Sequence, residues 1–401
     1  TTSQFKSKEL SPWLSECPSQ ILRNSAVNWY QTYQKFMSGK CGRPKRKPKT
    51  DKGSIYLTRE VFRFDHCDDG NVRLFIGTKT NNIGYLSFKA HGKFEIPNSL
   101  YVRKERGHYY VSFCYEQGQP DRKLSTNEEH LAFLQGATRE YLEEHTMGVD
   151  RGVAIPVCAG EQTYDFTHSQ KKNMSKADRY IKRLQRKLAR QQKGSNRRAK
   201  TKHRIAVHHA KKANIRNDFA HKTSRLLVDS SAKIIVFEAL RTARMTRRPK
   251  AKQDEQGRFI SNKAKQKAGL NKSILNVGWH VIETYTYYKA YSSSKAVFKI
   301  PAPTTSQECA KCGHTHPDNR KTQALFVCGN CGNTDNADHN ASLVIKKRAI
   351  NLILDTGTVL SGDGVLRTQS DSGRGGNRKT GRAKSSTSSA QRSVKKEKLA
   401  A

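Results

Sequence analysis

A set of four cysteines toward the C-terminal end constrains the fold of this chain more than any other feature. Cys309 and Cys312 form one C-x2-C pair, and Cys328 and Cys331 form a second pair after fifteen intervening residues. Two short knuckles at this spacing can close a tetrahedral zinc site. Because four thiolates fill the shell of the ion, we predict a structural Zn²⁺ and a zinc ribbon over residues 305–334.

The other soft-metal ligands in the sequence do not extend this site. His314 and His316 lie between the cysteine pairs and are alternative ligands, but four cysteines already complete the shell. The remaining five cysteines are scattered and odd in number, which favours reduced, mostly buried thiols over a disulfide framework. They are Cys17, Cys41, Cys67, Cys114 and Cys158.

The charge of the chain indicates a polyanionic partner. Its 401 residues include 75 Lys and Arg against 34 Asp and Glu, a net charge of +41. Each Lys or Arg that neutralises a phosphate releases counterions, so we expect tight and salt-sensitive binding of nucleic acid. The alternative is a solvated basic surface, as in a ribosome-associated protein. The sequence shows no apolar run of about 18 residues and no signal peptide, so we expect a cytoplasmic protein without membrane contact.

The N-terminal part divides into three segments by residue pattern. Residues 1–50 carry apolar side chains at helical spacing and end in a basic stretch with prolines, which predicts part of a helical domain. Residues 51–125 alternate apolar and polar side chains between Gly, Asn and Asp turns, which predicts an antiparallel β-barrel or sandwich. Residues 126–145 are polar with one helical stretch, and we interpret them as a linker.

The next segment, residues 146–304, predicts an α/β domain. Two apolar strand-like runs end at or near Asp150 and Glu238, and a basic helical hairpin over residues 170–225 lies between them. Residues 241–267 are basic and poor in apolar side chains, so we expect a flexible loop there. A helix from about Leu270 to Tyr291 and a further strand precede the ribbon.

Two segments follow the ribbon. Residues 335–360 contain Asp338 and an apolar helical pattern, so they extend the α/β domain. Residues 361–401 consist mainly of Ser, Gly, Lys and Arg without an aromatic side chain, a composition typical of a basic, disordered tail.

Three carboxylates occupy related positions in these segments. Asp150 and Glu238 lie at the ends of strand-like runs, and Asp338 opens the helix after the ribbon. Carboxylates at strand ends and helix starts can converge on one edge of a mixed fold and hold two divalent ions for phosphodiester hydrolysis. Mg²⁺ suits them, because it prefers carboxylate oxygens and retains water and phosphate oxygens. The alternative for each acid is a surface residue or, for Asp338, a helix N-cap.

The basic hairpin is the strongest candidate for contact with a nucleic-acid backbone, since backbone contacts position nucleic acid without reading its sequence. Its alternative is a solvated pair of charged helices. The candidate contact residues are Lys182, Arg183, Arg186, Lys187, Arg190, Arg197, Arg198 and Lys202.

Taken in order, the motifs around these residues resemble a known family. They read GVDRGV, VFEAL, TSQECAKCG, CGNCG and NADHNAS. This series resembles the split RuvC nuclease and zinc ribbon of transposon-encoded TnpB (OrfB) proteins and of their relatives, the compact type V CRISPR effectors. The resemblance is specific over residues 146–354. It is weaker near the N-terminus, where WLSECPSQILRNSAVNWYQTYQKF resembles the recognition-lobe helices that these proteins insert into a β-barrel wedge domain.

The resemblance implies a fold and an activity. The fold is an RNase H-like RuvC domain with an inserted zinc ribbon, preceded by the wedge barrel and a partial helical recognition lobe. The activity is RNA-guided cleavage of double-stranded DNA beside a short motif, with Asp150, Glu238 and Asp338 holding two Mg²⁺ ions. The partners are a guide RNA and target DNA, in a prokaryotic, nucleoid-associated ribonucleoprotein with a protein monomer or dimer. The sequence departs from the family at the start of the barrel, which is absent, and at Ser342, where alanine is more usual.

Three alternatives stay open at this point. The chain can serve a CRISPR locus in place of a transposon, since the two roles differ in neighbouring genes and RNA. It can be an RNA-guided DNA-binding regulator, although the presence of all three acids disfavours that hypothesis. It can also be a simple RNA-binding zinc-ribbon protein, which predicts RNA affinity without guided contact to DNA.

Overall fold

The structure is a computed structural model that describes most of the chain, namely residues 11–45, 53–66, 71–78, 81–90, 94–105, 108–115 and 124–368. The chain forms two compact units. The first draws on Thr1–Lys123 and His168–Ile215, and the second on Leu124–Thr167 and Arg216–Ala401. No helix in the described ranges is long and apolar enough to cross a membrane.

Within the described residues, the N-terminal part of the first unit forms two α-helices and six strands. The helices are α1 (Pro12–Ser15) and α2 (Ser19–Met37), and the strands are β1 (Gly53–Thr58), β2 (Phe62–His66), β3 (Asn71–Gly77), β4 (Asn82–Lys89), β5 (Ser99–Glu105) and β6 (His108–Ser112). The strands pair in two antiparallel sheets, with orders β1-β5-β6 and β2-β3-β4. Leu57, Leu74 and Leu100 from the two sheets share one buried core with Ile21 of α2. The predicted antiparallel β-domain is therefore present, and its closure as a barrel stays a prediction.

Two short helices lead into the first strands of the second unit. They are α3 (Asn127–Leu134) and α4 (Arg139–His145), followed by β7 (Thr146–Asp150), β8 (Val157–Ala159) and β9 (Gln162–Tyr164). Helix α3 begins with a capping box, in which Thr126 and Glu129 bond each other's backbone N–H. The predicted linker is thus largely helical, and Leu131, Leu134 and Leu142 join the core of the sheet.

The basic hairpin forms as predicted from α5 (His168–Ala189) and α6 (Asn196–Asp229). Its thin apolar stripe includes the buried Ala177 and Ile181. The Nζ of Lys212 lies 2.7 Å from Oδ1 of Asp178, which links the two helices within the first unit. Lys and Arg are the commonest side chains among the exposed residues of the hairpin.

The remaining elements complete the second unit. They are β10 (Ile234–Glu238), α7 (Thr242–Met245), β11 (Lys252–Gln253), β12 (Phe259–Ile260), α8 (Ala264–Val277), α9 (Trp279–Ser292), β13 (Ala296–Ile300), β14 (Leu325–Val327), β15 (Thr334–Asn336), α10 (Ala337–Leu354), β16 (Thr358–Leu360) and β17 (Leu366–Thr368). The central sheet has the order β13-β10-β7-β8-β9. Strands β7, β10 and β13 are parallel, whereas β8 pairs antiparallel with β7 on one side and with β9 on the other. The carboxyl ends of the three parallel strands therefore meet at one edge.

Helix α10 lies directly against β7, and Gly148 permits this approach. A Cβ at position 148 would meet the carbonyl oxygen of Ser342 and lie 2.7 Å from the backbone nitrogen of Lys346. Ser342 also donates to the carbonyl of His339 at 2.7 Å and accepts from the N–H of Gly160 at 3.2 Å. The hydroxyl at the family's usual alanine position therefore ties the helix to the β8–β9 turn.

Three predictions about this unit need correction. The helix expected over residues 270–291 is two helices, because Gly278 takes a left-handed φ of 77° and separates α8 from α9. The loop expected at 241–267 contains α7 and the short β11–β12 ladder.

The third correction concerns the predicted tail, which begins too early at residue 361. Strands β16 and β17 form a hairpin in which Val365 and Leu366 are buried, and Leu366 packs in the core shared by the sheet and α10. The rest of the predicted tail, residues 369–401, lies outside the described residues, as does Cys67.

We expect Gly148→Ala to destabilise the fold by about 3 kcal/mol or more, because its Cβ would force α10 away from β7. Denaturant unfolding followed by circular dichroism measures the loss. Gly269→Ala is the matched control, since a Cβ there meets nothing within 4 Å and lies in a helix. Equal stability of the two variants would show that α10 does not rest on β7.

Candidate functional site

The three predicted carboxylates converge on one cavity of the second unit. Asp150 ends β7, and Glu238 ends the neighbouring parallel strand β10. Asp338 lies in the first turn of α10, and its own N–H is bonded at 2.9 Å by the N-cap, Asn336. All three line a cavity of about 580 Å³, which is also lined by Arg320. The alternative role of Asp338 as N-cap is therefore taken by Asn336.

Each carboxylate has a different set of neighbours. Glu238 is 7% exposed and accepts a short hydrogen bond from the hydroxyl of Thr305. Asp338 is 4% exposed and accepts from Nη2 of Arg320 at 3.1 Å. Asp150 is half-buried. The oxygens of the three acids do not all lie within 4.8 Å of one another. Among the described residues, the four ribbon cysteines do form a cluster of that size.

The electrostatics of the cavity favour a cation. Burial first, and then the charges of Glu238 and Asp338, raise the pKa of Asp150 to about 7, against the opposing effects of the backbone N–H of Arg151 and the charge of Arg320. Burial also raises the pKa of Glu238 and that of Asp338. Partly buried carboxylates that disfavour each other's ionisation are stabilised by a divalent ion. The donor set therefore fits Mg²⁺, which prefers carboxylate oxygens.

Cys158 lies beside this cavity but is unsuited to its chemistry. It pairs with Asp150 across β7 and β8. Burial first, and then the charges of Asp150 and Asp338, raise its pKa to about 12. In the metal-free protein the thiol therefore stays protonated at neutral pH and is a poor nucleophile.

The four ribbon cysteines form a second candidate metal centre. The Sγ atoms of Cys309 and Cys331 lie 3.7 Å apart, and those of Cys312 and Cys328 lie 3.6 Å apart. A tetrahedral ion with Zn–S bonds of about 2.3 Å separates its sulfurs by about 3.8 Å. The cluster therefore fits Zn²⁺ without rearrangement. It contains neither of the two histidines that the sequence offered as alternative ligands.

The ribbon cysteines differ in the pKa of their thiols. A hydrogen bond from the backbone of His314 is the main reason that the pKa of Cys312 falls to about 6. The backbone N–H of Asn333 favours the thiolate of Cys331, but desolvation and three neighbouring thiols outweigh it and raise this pKa to about 11. A bound zinc ion would remove the conflict by stabilising all four thiolates.

The ribbon is fastened to the helix that carries Asp338. Asn340 is fully buried; its Nδ2 donates to the carbonyl of Glu308 at 2.7 Å, and its Oδ1 accepts from the N–H of Ala310 at 3.0 Å. Arg348, two turns further along α10, donates from Nε to the Glu308 carboxylate at 2.7 Å. The first cysteine knuckle is therefore held in a fixed position relative to the acids.

Arg320 is the main site residue that the sequence interpretation missed. It lies in the ribbon between the two cysteine pairs and donates both to Asp338 and to the carbonyl of Gln323, at 2.9 Å. The preceding Asn319 donates to the carbonyls of Gln307 and His314 and accepts from the N–H of Gly329. The ribbon thus places the positively charged guanidinium of Arg320 at the cavity. A basic residue between two zinc knuckles was the only signal, and a chain with 75 basic residues gives it little weight.

The candidate nucleic-acid residues lie on the hairpin within the first unit. Seven of them are exposed: Lys182, Arg183, Arg186, Lys187, Arg190, Arg197 and Lys202. Arg198 is half-buried, and its Nη1 donates to the carbonyls of Leu188 and Gln191 at the end of α5. Its guanidinium therefore closes the turn of the hairpin, while the other seven keep their charges at the surface.

Comparison with known proteins agrees with this arrangement. Residues 112–248 match the OrfB_IS605 family, described as a probable transposase, and residues 279–345 match the Cas12f1-like TNB domain. The chain is thus similar to TnpB-like and Cas12f1-like proteins. The two matched segments include Asp150, Glu238, Asp338 and the four ribbon cysteines.

Individual relatives match most of the chain. InsQ of Escherichia coli (strain K12), to which RNA-guided DNA endonuclease activity is ascribed, is 28% identical over 84% of this chain and 76% of its own length. The CRISPR-associated endodeoxyribonuclease Cas12f1 of Sulfoacidibacillus thermotolerans is 27% identical over 63% of this chain and 53% of its own length.

A solved Cas12f1–sgRNA–target DNA complex shares the fold. Its protein matches with a TM-score of 0.50 at 13% identity, covering 82% of this chain and 70% of that one.

We expect the metal-free protein to lose stability as pH rises from about 4 to about 7. The pKa of Asp150 rises from 3.8 to about 7 on folding. Between these two pKa values the folded state binds a proton that the unfolded state has lost. The free energy of unfolding therefore falls as pH rises through this window and levels off above it. Thermal unfolding in chelator across this range measures the effect, which Asp150→Asn should flatten. An identical pH dependence in the variant would contradict the raised pKa.

Removing one ribbon thiol should release the zinc. We expect Cys312→Ser to reduce bound zinc from about one ion per chain to a small fraction, because three thiolates leave the shell open. Elemental analysis of the dialysed protein measures the content, and limited proteolysis should show new cleavage within the ribbon. Cys41→Ser is the control, since Cys41 lies outside the cluster. Full zinc retention in Cys312→Ser would rule out this ligand set.

Proposed function

We propose that this protein is an RNA-guided DNA endonuclease that cleaves target DNA beside a short motif. The observation that carries the proposal is the convergence of Asp150, Glu238 and Asp338, from three separate segments, on one cavity. The sheet order, with a central β7 flanked by a parallel β10 and an antiparallel β8, agrees with an RNase H-like RuvC domain. The relationship to InsQ and Cas12f1 supports the same activity.

The three acids would hold two Mg²⁺ ions. When bound, such a pair supplies an activated water and stabilises the leaving oxygen of a phosphodiester. The chain's own contribution is to fix the carboxylates: Glu238 by the Thr305 hydroxyl, and Asp338 by its place in the first turn of α10. Arg320 already faces Asp338 and can hold a non-bridging oxygen of the scissile phosphate.

The guide and the target would bind mainly through charge. The seven exposed basic residues of the α5–α6 hairpin provide backbone contacts to a guide RNA or an RNA–DNA duplex. The zinc ion has a structural role, because a shell of four thiolates has no open position for water. The ribbon would serve the reaction by carrying Arg320.

An association with a transposon is better supported than a CRISPR role. The chain matches InsQ over 84% of its length and Cas12f1 over 63%, at nearly equal identity. We infer that the guide RNA is transcribed through a transposon end, and that the ribonucleoprotein acts in a prokaryotic cytoplasm near the nucleoid. A purely DNA-binding regulator is less well supported, since all three acids are retained in one cavity.

The direct test is cleavage by the ribonucleoprotein purified with its own RNA. The substrate is a plasmid with a target matched to the sequenced guide and a randomised neighbouring segment, so that no motif is assumed. We expect Mg²⁺-dependent cleavage that falls by about 10³-fold or more in Asp150→Ala, Glu238→Gln and Asp338→Asn, because each change removes a metal ligand.

Asp229→Asn is the matched control, since Asp229 is an exposed acid paired with Arg225 on α6. RNA content and target binding should be unchanged in all four variants. Wild-type cleavage rates in any of the three site variants would refute the assignment. Guided binding without cleavage by the wild-type protein would favour the regulator.

A further inference from the structure

Arg151, the residue after Asp150, directs a buried guanidinium beneath the acidic cavity. Its side chain is 1% exposed. Nη1 lies 2.6 Å from Oε2 of Glu283, and Nη2 donates a short hydrogen bond to the backbone carbonyl of Glu238. The guanidinium carbon also lies 5.0 Å from the ring centroid of Phe237. One arginine therefore contacts the strand end that carries the second acid.

Glu283 makes this contact part of a larger clamp. It projects from α9, and its Oε1 lies 3.2 Å from Nζ of Lys299 on β13. Burial alone would raise the pKa of Glu283, but Arg151 and Lys299 outweigh burial and lower it. The carboxylate is therefore charged at neutral pH, and both its oxygens are occupied by cations. We call the three residues Arg151, Glu283 and Lys299 the clamp.

The clamp contacts both of the strand ends that carry Asp150 and Glu238. The backbone N–H of Arg151 faces Asp150, while its side chain holds the carbonyl of Glu238. Because the guanidinium is a rigid fork, it reaches Glu283 and the Glu238 carbonyl through two separate nitrogens, a geometry that the single nitrogen of an ammonium group does not reproduce. Displacement of either strand end would leave buried charge unpaired, and this is costly.

We propose that Arg151 is a positioning residue that sets the spacing of Asp150 and Glu238 for divalent metal binding, with Glu283 and Lys299 fixing its guanidinium. This inference rests on the proposed function, because it assumes that the two acids bind metal. Glu283 itself is not a further metal ligand, since Arg151 and Lys299 occupy its oxygens. Residues that hold metal ligands in place commonly control metal affinity as strongly as some ligands do.

A purely structural role for the clamp predicts something different. A buried ion pair that only supports the fold would change thermal stability when broken and leave metal affinity unchanged. A positioning role predicts weaker metal binding in a variant that is still folded. Metal affinity, measured without turnover, therefore separates the two roles.

The experiment measures Mn²⁺ binding by calorimetry and the Mg²⁺ dependence of cleavage in the ribonucleoprotein. We expect Arg151→Met to weaken Mn²⁺ binding by about tenfold to 100-fold and to raise the Mg²⁺ concentration for half-maximal cleavage in parallel. Arg151→Lys should recover little of this loss, because its single, shorter-reaching nitrogen does not reproduce the two-nitrogen fork that holds Glu283 and the Glu238 carbonyl. Glu283→Gln should weaken binding less, since Arg151 keeps its bond to the Glu238 carbonyl.

Two further variants keep the test decisive. The double variant Arg151→Met/Glu283→Gln removes both partners of the buried Arg151–Glu283 ion pair and leaves only Lys299, whose side chain is 17% exposed, so it provides a folded protein if Arg151→Met alone does not fold. Its metal affinity should match the expected value for Arg151→Met. Arg139→Met is the control, because Arg139 is an exposed arginine that bonds Asn351 away from the cavity.

The outcomes distinguish this inference from the proposed function. Folded clamp variants with wild-type Mn²⁺ affinity and wild-type Mg²⁺ dependence would overturn the positioning role and leave the nuclease assignment standing. A wild-type protein that binds no Mn²⁺ at the acids would overturn both. Weakened metal binding in the clamp variants, with unchanged binding in Arg139→Met, supports the positioning role.

Discussion

The site depends on the direct packing of α10 against β7 at Gly148. Without a Cβ at this position, the helix backbone reaches the strand, and Ser342 and Lys346 lie where a side chain would otherwise be. This approach places the first turn of α10, with Asp338, beside the carboxyl end of β7, where Asp150 lies. Parallel pairing of β7 with β10 then brings Glu238 to the same edge. The close backbone contact at Gly148 and the β7–β10 pairing thus bring three acids that are far apart in sequence to the same cavity.

The zinc ribbon is coupled to this arrangement through hydrogen bonds. Asn340 on α10 bonds both sides of the first cysteine knuckle, and Arg320 returns from the ribbon to Asp338. A metal that closes the knuckles therefore also orders a cation at the acidic cavity. The structural metal and the proposed catalytic metals are separate in chemistry, since one site is all sulfur and the other all oxygen. They are connected in mechanism, because the ribbon supplies a residue to the site.

Much of this fold follows from patterns that are local in sequence. Alternating apolar residues predicted the antiparallel sheets, and the apolar run ending at Glu238 predicted the buried strand β10. The spacing of the cysteines was sufficient to predict their cluster. The three acids were predicted to meet because strand ends and helix starts share an edge in mixed folds, and the resemblance supplied their order.

Other features depend on contacts between residues far apart in sequence. The break at Gly278 needs a left-handed residue in an otherwise helical pattern, and the hairpin at the start of the expected tail is stabilised by packing on the sheet. The roles of Arg320 and Arg151 depend on partners 18 and 132 residues away. In a chain this basic, composition does not separate such residues from the many that stay at the surface.

Asp150, Glu238 and Asp338 are proposed to form one site for two divalent ions, and the spacing of the bound ions is the decisive quantity. Electron paramagnetic resonance of the Mn²⁺-loaded ribonucleoprotein measures it, because two Mn²⁺ ions about 4 Å apart are magnetically coupled. We predict a coupled-pair spectrum that disappears in Glu238→Gln. A spectrum of isolated Mn²⁺ alone, or a coupled pair that persists in this variant, would show that the three acids do not form a two-metal site.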